Sequence, residues 1–177
     1  MALHENLSGM AVEAINEYLV VAKFCLDSRK SDGGCYGYPA TLLLFCVVNA
    51  VSGFVDGETV CIDGKERRIT KTEPFRVFNH ELFGLNLEGN AIKLLENSYR
   101  NRLAHNAIIE RDAILLPSDE EPAFVTLPVG VGIRVFSFYR LVMGAWSKFP
   151  RERITTWETK RELVVAQRNG TKNKGKK

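Results

Sequence analysis

The chain has 177 residues, 45% hydrophobic and 25% charged. That is the size and make-up of one ordinary folded domain, and it excludes a chain that is disordered throughout, collagen-like or of low complexity. The formal net charge is +3, yet residues 168–177 hold five Lys/Arg and no acid. The body, residues 1–167, is therefore slightly acidic, and the basicity belongs to a tail expected to be disordered.

Ser8 is placed to cap a first helix running to Asp27. Ala11, Ile15, Tyr18, Ala22 and Cys25 keep helical spacing, and Val12, Leu19 and Leu26 widen the stripe. Residues 28–38 read as a loop, with Gly33, Gly34 and Gly37 as breakers. Pro39 suits the first turn of a second helix reaching Val55. This helix is apolar nearly all round and predicts burial on most sides. Asn49, Ser52 and Gly53 interrupt it, and it falls short of the roughly 20 apolar residues of a membrane span. No membrane association is expected.

Residues 56–72 change to a polar β-excursion carrying two hairpin dipeptides, Asp56-Gly57 and Asp63-Gly64. Thr72 and Pro74 start a short third helix with Phe75, Phe78, Leu82 and Phe83 on one face. The fourth helix spans Asn90 to Arg111. A second hairpin is predicted from Ala113–Leu116 and Ala123–Pro128, joined by a turn at 117–122 and ended by Gly130 and Gly132. The fifth helix covers Arg134 to Lys148, with Val135, Phe138, Val142 and Trp146 facing the core, and residues 151–167 form a last charged helix. The expected fold class is thus an all-α helical bundle of four to six helices with one or two short β-hairpin insertions, in a single domain.

Cys25, Cys35, Cys46 and Cys61 form no CxxC pair, so no cysteine-built metal site is expected and the thiols read as reduced and buried. The N-terminus has no apolar signal core, so the reading is a cytoplasmic protein.

Of the three histidines, His4 lies near the end of the chain and His80 has no second ligand at i+4. His105 stands in the run Tyr99-Arg100-Asn101-Arg102-Leu103-Ala104-His105-Asn106, which reads R-N-x-x-x-H. Taking about 100° per residue, Ile92, Leu95, Tyr99, Leu103 and Ala107 form a core stripe. On the same rotation Arg100, Asn101 and His105 point away from it, and Asn101 and His105 are about 40° apart. Leu94, Ala104 and Ile108 share that second face and suit close approach by another helix.

Arginine offers a planar charged fork for phosphate, and histidine exchanges protons near neutral pH. Together they suit metal-free acid–base cleavage of a phosphodiester, with the RNA 2′-hydroxyl as nucleophile. A two-fold dimer about this face brings two sets together at one cleft. The plain alternative is a structural histidine near a helix C-terminus, favoured by the helix dipole.

The run YRNRLAHN resembles the R-N-x-x-x-H signature of the HEPN superfamily, over roughly residues 8–148, with only Arg100–His105 specific. The resemblance implies a homodimer with a composite site and a metal-independent endoribonuclease needing no cofactor. Systems of this kind include toxin–antitoxin, phage-defence and RNA-processing systems, with a cognate antitoxin or nucleotidyltransferase as partner. Other members have lost catalysis and bind RNA, a nucleotide or a protein. Carried over by position, Arg100 holds or polarises the scissile phosphate, His105 is acid or base, and Asn101 orients His105 or contacts the phosphate. Asn97 and Asn49 are supporting candidates. The segments 56–72 and 113–133 lie outside the minimal family core and leave the substrate open.

Overall fold

The computed structural model describes residues 6–101, 113–128, 130–154 and 157–159. The chain divides into two compact units, one of residues 1–14 and 150–177, the other of residues 15–149.

In the first unit, helix α1 (Leu7–Asp27) begins. Its cap is Asn6, whose Oδ1 accepts the Gly9 N–H at 2.7 Å. Ser8, expected as the cap, lies inside the helix and donates its hydroxyl to Glu158. Glu158 also accepts the Leu7 N–H at 2.8 Å. The Ser8 hydroxyl, together with these backbone donors, holds the Glu158 carboxyl below its usual range.

The second unit holds the rest of α1, then α2 (Gly37–Phe54), β1 (Thr59–Ile62), β2 (Lys65–Arg68) and a 3-10 helix (Pro74–Asn79). These are followed by α3 (Gly89–Leu94), a π-helical segment (Leu95–Asn101), β3 (Ala113–Leu116), β4 (Phe124–Leu127), β5 (Gly130–Arg134) and α4 (Val135–Lys148). The face of α1 that is buried is Ile15, Leu19, Ala22 and Leu26. Tyr18, placed on the core stripe by spacing, is instead exposed, as are Val20 and Phe24 at 68% and 70%.

By length and composition α2 could cross a membrane, but half of it is buried within the fold. It is the core helix. Its Phe45 stacks on Phe75 at 4.9 Å between ring centroids and packs against Phe138 at 5.0 Å. Phe78 extends the cluster to Phe83 and Phe124. Edge-to-face and offset rings of this kind add to the area they bury. Trp146 of α4 donates its indole N–H to Asn16 Oδ1 of α1 at 2.9 Å, tying first and last helices of this unit.

The all-α expectation does not hold: helices and two small β-sheets share the fold, which is mixed α/β. The first sheet is the expected excursion. Strands β1 and β2 pair antiparallel, Ile62 opposite Lys65, around Asp63-Gly64. Both turn residues have positive φ, 50° and 70°, as a tight hairpin of matching twist requires.

The second sheet overturns the predicted hairpin. β3 and β4 do not pair. β5 lies between them, parallel to β3 and antiparallel to β4. Gly130 and Gly132, read as breakers, belong to that central strand. A side chain at Gly132 would sit 2.9 Å from Leu127 Cδ1, 3.0 Å from Val125 Cγ2 and 3.4 Å from Leu116 Cδ1. The glycine is where side chains of both neighbouring strands converge. The intervening segment is strapped to α4 instead of closing a turn. Arg134 bonds the Glu121 carbonyl at 2.8 Å, Ser137 the Glu120 carbonyl at 2.6 Å, and Arg140 the Asp119 carbonyl.

Residues 160–177, including the basic tail, lie outside the described residues, as does part of the expected last helix.

Candidate functional site

The motif helix is built differently from the expected Asn90–Arg111 α-helix. Six α-helical residues, Gly89–Leu94, give way to seven π-helical residues, Leu95–Asn101. A π turn closes i→i+5 bonds and is wider than an α turn. The α-helical rotation therefore holds only as far as Leu94. Ile92, Leu95 and Tyr99 are buried as the stripe predicts. Ser98, which that rotation puts outside the stripe, is buried beside them.

Two contacts fix this lead-in. At its start, the Gly89 N–H points at the Asp63 carboxylate, 3.2 Å from Oδ1 and 3.3 Å from Oδ2. Asp63 is the hairpin turn residue, so the polar excursion at 56–72 positions the motif helix. A Cβ at Gly89 would stand 2.8 Å from Asp63 Oδ2, so a larger residue there would push the carboxylate aside. At the other end, the Tyr99 ring is fully buried and 6.4 Å from Phe45. Its hydroxyl accepts the Ile114 N–H at 2.8 Å, and its own proton faces the carbonyls of Ile114, at 3.1 Å, and Val131. Tyr99 thus joins the π segment to β3 and β5.

Arg100 and Asn101 are the last two residues of the π segment, directly after this anchor. His105, with Ala104 and Ile108, lies outside the described residues. Asn97 is exposed and Leu94 half-buried.

Asn49 takes a different position. It lines a cavity of about 160 Å³ with Ser52, Gly53, Asp56, Lys71 and Pro74, and none of the residues lining it belongs to the motif helix. The Asn49 Oδ1 is buried without a hydrogen-bond partner. The sequence signal for this cavity was the interruption of an apolar helix by Asn49 and Ser52; Asp56 and Lys71 come from polar loops where spacing carries no information.

His80, set aside in the sequence, is buried. Its Nε2 lies 2.8 Å from Glu58 Oε2 and its Nδ1 accepts the Leu82 N–H at 3.3 Å. An N–H aimed at Nδ1 leaves the ring proton on Nε2, donated to Glu58. This histidine ties the 3-10 helix to the start of β1. No disulfide joins the four cysteines. Cys35 is buried, Cys25 and Cys46 are half-buried, and Cys61, contrary to expectation, is exposed on β1. Burial pushes the Cys25 thiol up. Among the described residues no group of three or more His, Cys, Asp or Glu is placed to share a metal ion.

No family model matches the chain, and no curated protein and no solved structure is similar to it.

Proposed function

We propose that the chain is a metal-independent endoribonuclease of the HEPN type, acting as a homodimer. The observation that carries this reading is the π-helical segment ending on Arg100-Asn101, the first half of R-N-x-x-x-H. π winding is rare, and where it interrupts an α-helix it frequently coincides with a functional site. Here Asp63 holds the start of the α-helical turn that leads into it and Tyr99 anchors the segment itself, the kind of support a catalytic side chain needs.

The chemistry follows from the side chains. The Arg100 guanidinium binds the non-bridging oxygens of a scissile phosphate and stabilises the charge that grows on them. An RNA 2′-oxygen attacks phosphorus while its proton passes to a base. The bond to the 5′-oxygen breaks as that oxygen takes a proton from an acid. The products are a 2′,3′-cyclic phosphate and a free 5′-hydroxyl, with no net oxidation. Two copies of His105, one from each protomer, supply base and acid.

The test is a pair of substitutions read against a folding control. His105→Ala and Arg100→Ala are expected to lower cleavage of an RNA pool by on the order of 10²–10⁴, with the melting transition and dimer unchanged. Wild-type cleavage continues in excess chelator. Full activity in either variant, or unfolding of His105→Ala, overturns the reading. RNA binding by wild type without cleavage assigns the non-catalytic role instead.

A further inference from the structure

We infer that the exposed aromatic cluster where α1 meets α2 is a stacking platform for unpaired RNA bases, so that the substrate is single-stranded and not duplex RNA; this rests on the RNA reading above. Among the described residues the exposed aromatic side chains are Tyr18, Phe24, Tyr36 and Tyr38, all within residues 18–38, and every other described aromatic ring is buried or half-buried. Phe24, Tyr36 and Tyr38 are 70%, 43% and 45% exposed. The backbone brings them together. The Tyr36 N–H bonds the carbonyl of Cys25, the residue after Phe24, at 3.1 Å, and Tyr38 follows in the first turn of α2. The loop between the helices is pinned. The Lys30 N–H bonds the Gly34 carbonyl at 2.9 Å, Arg29 pairs with Cys35 through the backbone, and the Gly34 N–H bonds Asp32 Oδ1 at 2.9 Å. The rings are thus held in place before a ligand arrives, which lowers the cost of binding.

Charge complementarity favours a nucleic acid strand on this surface. The Lys30 ammonium lies 5.3 Å from the centre of the Tyr36 ring, a cation–π contact. Arg29 is exposed and, among the described residues, makes no ion pair or side-chain hydrogen bond. The acids close by in the chain are engaged: Asp27 with Lys23 at 2.5 Å, and Asp32 with the Gly34 N–H. Rings interleaved with free cations match a single strand, whose bases stack on π-faces while its phosphates meet the positive charge. A duplex keeps its bases stacked on one another and has no free face for a ring. The platform also connects to the motif. A Cβ at Gly37, between Tyr36 and Tyr38, would lie 3.7 Å from Leu115 Cδ1. Leu115 adjoins Ile114 on β3, whose N–H the Tyr99 hydroxyl accepts, and Tyr99 precedes Arg100. Platform and motif thus share β3 as a support, and a strand stacked on the rings carries its next phosphates toward Arg100.

The full chain is titrated, by fluorescence anisotropy, with a labelled 2′-O-methyl oligoadenylate, which has no free 2′-hydroxyl to attack phosphorus, and with the duplex it forms with its complement. Wild type is expected to bind the single strand about tenfold or more tighter than the duplex. Phe24→Ala, Tyr36→Ala and Tyr38→Ala each weaken single-strand binding by on the order of tenfold, one stacked base apiece. All three melt as wild type does, since the rings are exposed. Tyr36→Phe keeps the ring and binds as wild type. Arg29→Ala lowers the slope of log affinity against log salt by about 0.7, one phosphate of a single strand. No binding, duplex bound as tightly as single strand, or full binding in any of the three alanine variants overturns the platform. So does dissociation of the wild-type assembly in Phe24→Ala, read by sedimentation, which assigns the patch to a second copy of the chain. The two readings fail separately. Ring-dependent binding in a protein that cleaves no RNA leaves the platform standing and sinks the ribonuclease, and RNA cleavage that all three alanine variants retain in full does the reverse.

Discussion

The two small sheets are opposites in how they are made. β1–β2 is a local hairpin. Its pairing is fixed by two turn residues with positive φ, and only Val60 and Ile62 turn inward while every residue of β2 is exposed. The β3-β5-β4 sheet is apolar and only half local: β4 and β5 pair across two residues, Leu127 opposite Gly130, while β3 joins from farther back, Ala113 opposite Val131. Its central strand comes last in the chain and lies between the other two, and Val131, Gly132 and Ile133 are buried. The first sheet is thus held by backbone conformation and the second by side-chain packing. Each supports one end of the motif's lead-in helix: the hairpin through Asp63 and the sheet through Tyr99.

Breaking the packed sheet has the larger effect. Gly132→Val forces a branched side chain against Leu127, Val125 and Leu116 at once. Such overpacking is expected to cost about 2–3 kcal/mol, read as a lower urea midpoint at unchanged slope. An unchanged midpoint means the three neighbours yield freely, and the sheet is then looser than described. Tyr99→Phe keeps the ring in the aromatic core and removes only the hydroxyl, stranding the Ile114 N–H. The expected cost is about 1–2 kcal/mol, with a loss of RNA cleavage larger than that of stability alone, because the π segment loses its tie to β3 and β5. Cleavage that merely follows the folded fraction makes Tyr99 a packing residue with no positioning role.

The same contrast explains what the sequence disclosed. Asp63-Gly64 was legible as a turn because the constraint is local: two residues must adopt positive φ, and these residue types do. The order of the second sheet was not, since glycine in a strand and glycine after a strand look alike until Leu127, Val125 and Leu116 are seen converging on Gly132. The core face of α4 and the burial of Ile92, Leu95 and Tyr99 were legible from periodicity. Tyr18 on α1 was not, because an apolar spacing match says nothing about which flank is covered. The π winding at Leu95–Asn101 has no composition signature, so the facing of Arg100 and Asn101 could not be taken from α-helical rotation. Asn49 was visible as an anomaly in an apolar helix; that it lines one cavity with Asp56 and Lys71 depends on tertiary contacts alone.

Loosening the hairpin's grip on the motif helix gives the smallest effect and sharpens the comparison most. Asp63→Ala removes the carboxylate that accepts the Gly89 N–H and leaves a non-glycine residue at positive φ without the side chain that helps asparagine and aspartate adopt it. The contact is exposed and its distances, 3.2 and 3.3 Å, are long, so the loss belongs at the low end of capping effects, about 0.5–1 kcal/mol. Asp63→Asn keeps both an acceptor and a residue suited to positive φ, and is expected to lie within a few tenths of a kcal/mol of wild type. Amide exchange at Gly89 separates the two roles of the residue. If Asp63 caps α3, exchange there quickens in Asp63→Ala and not in Asp63→Asn. If only the turn matters, both variants leave Gly89 protected as in wild type while the β1–β2 amides of Asp63→Ala exchange faster, and the hairpin then folds beside the motif helix without holding it.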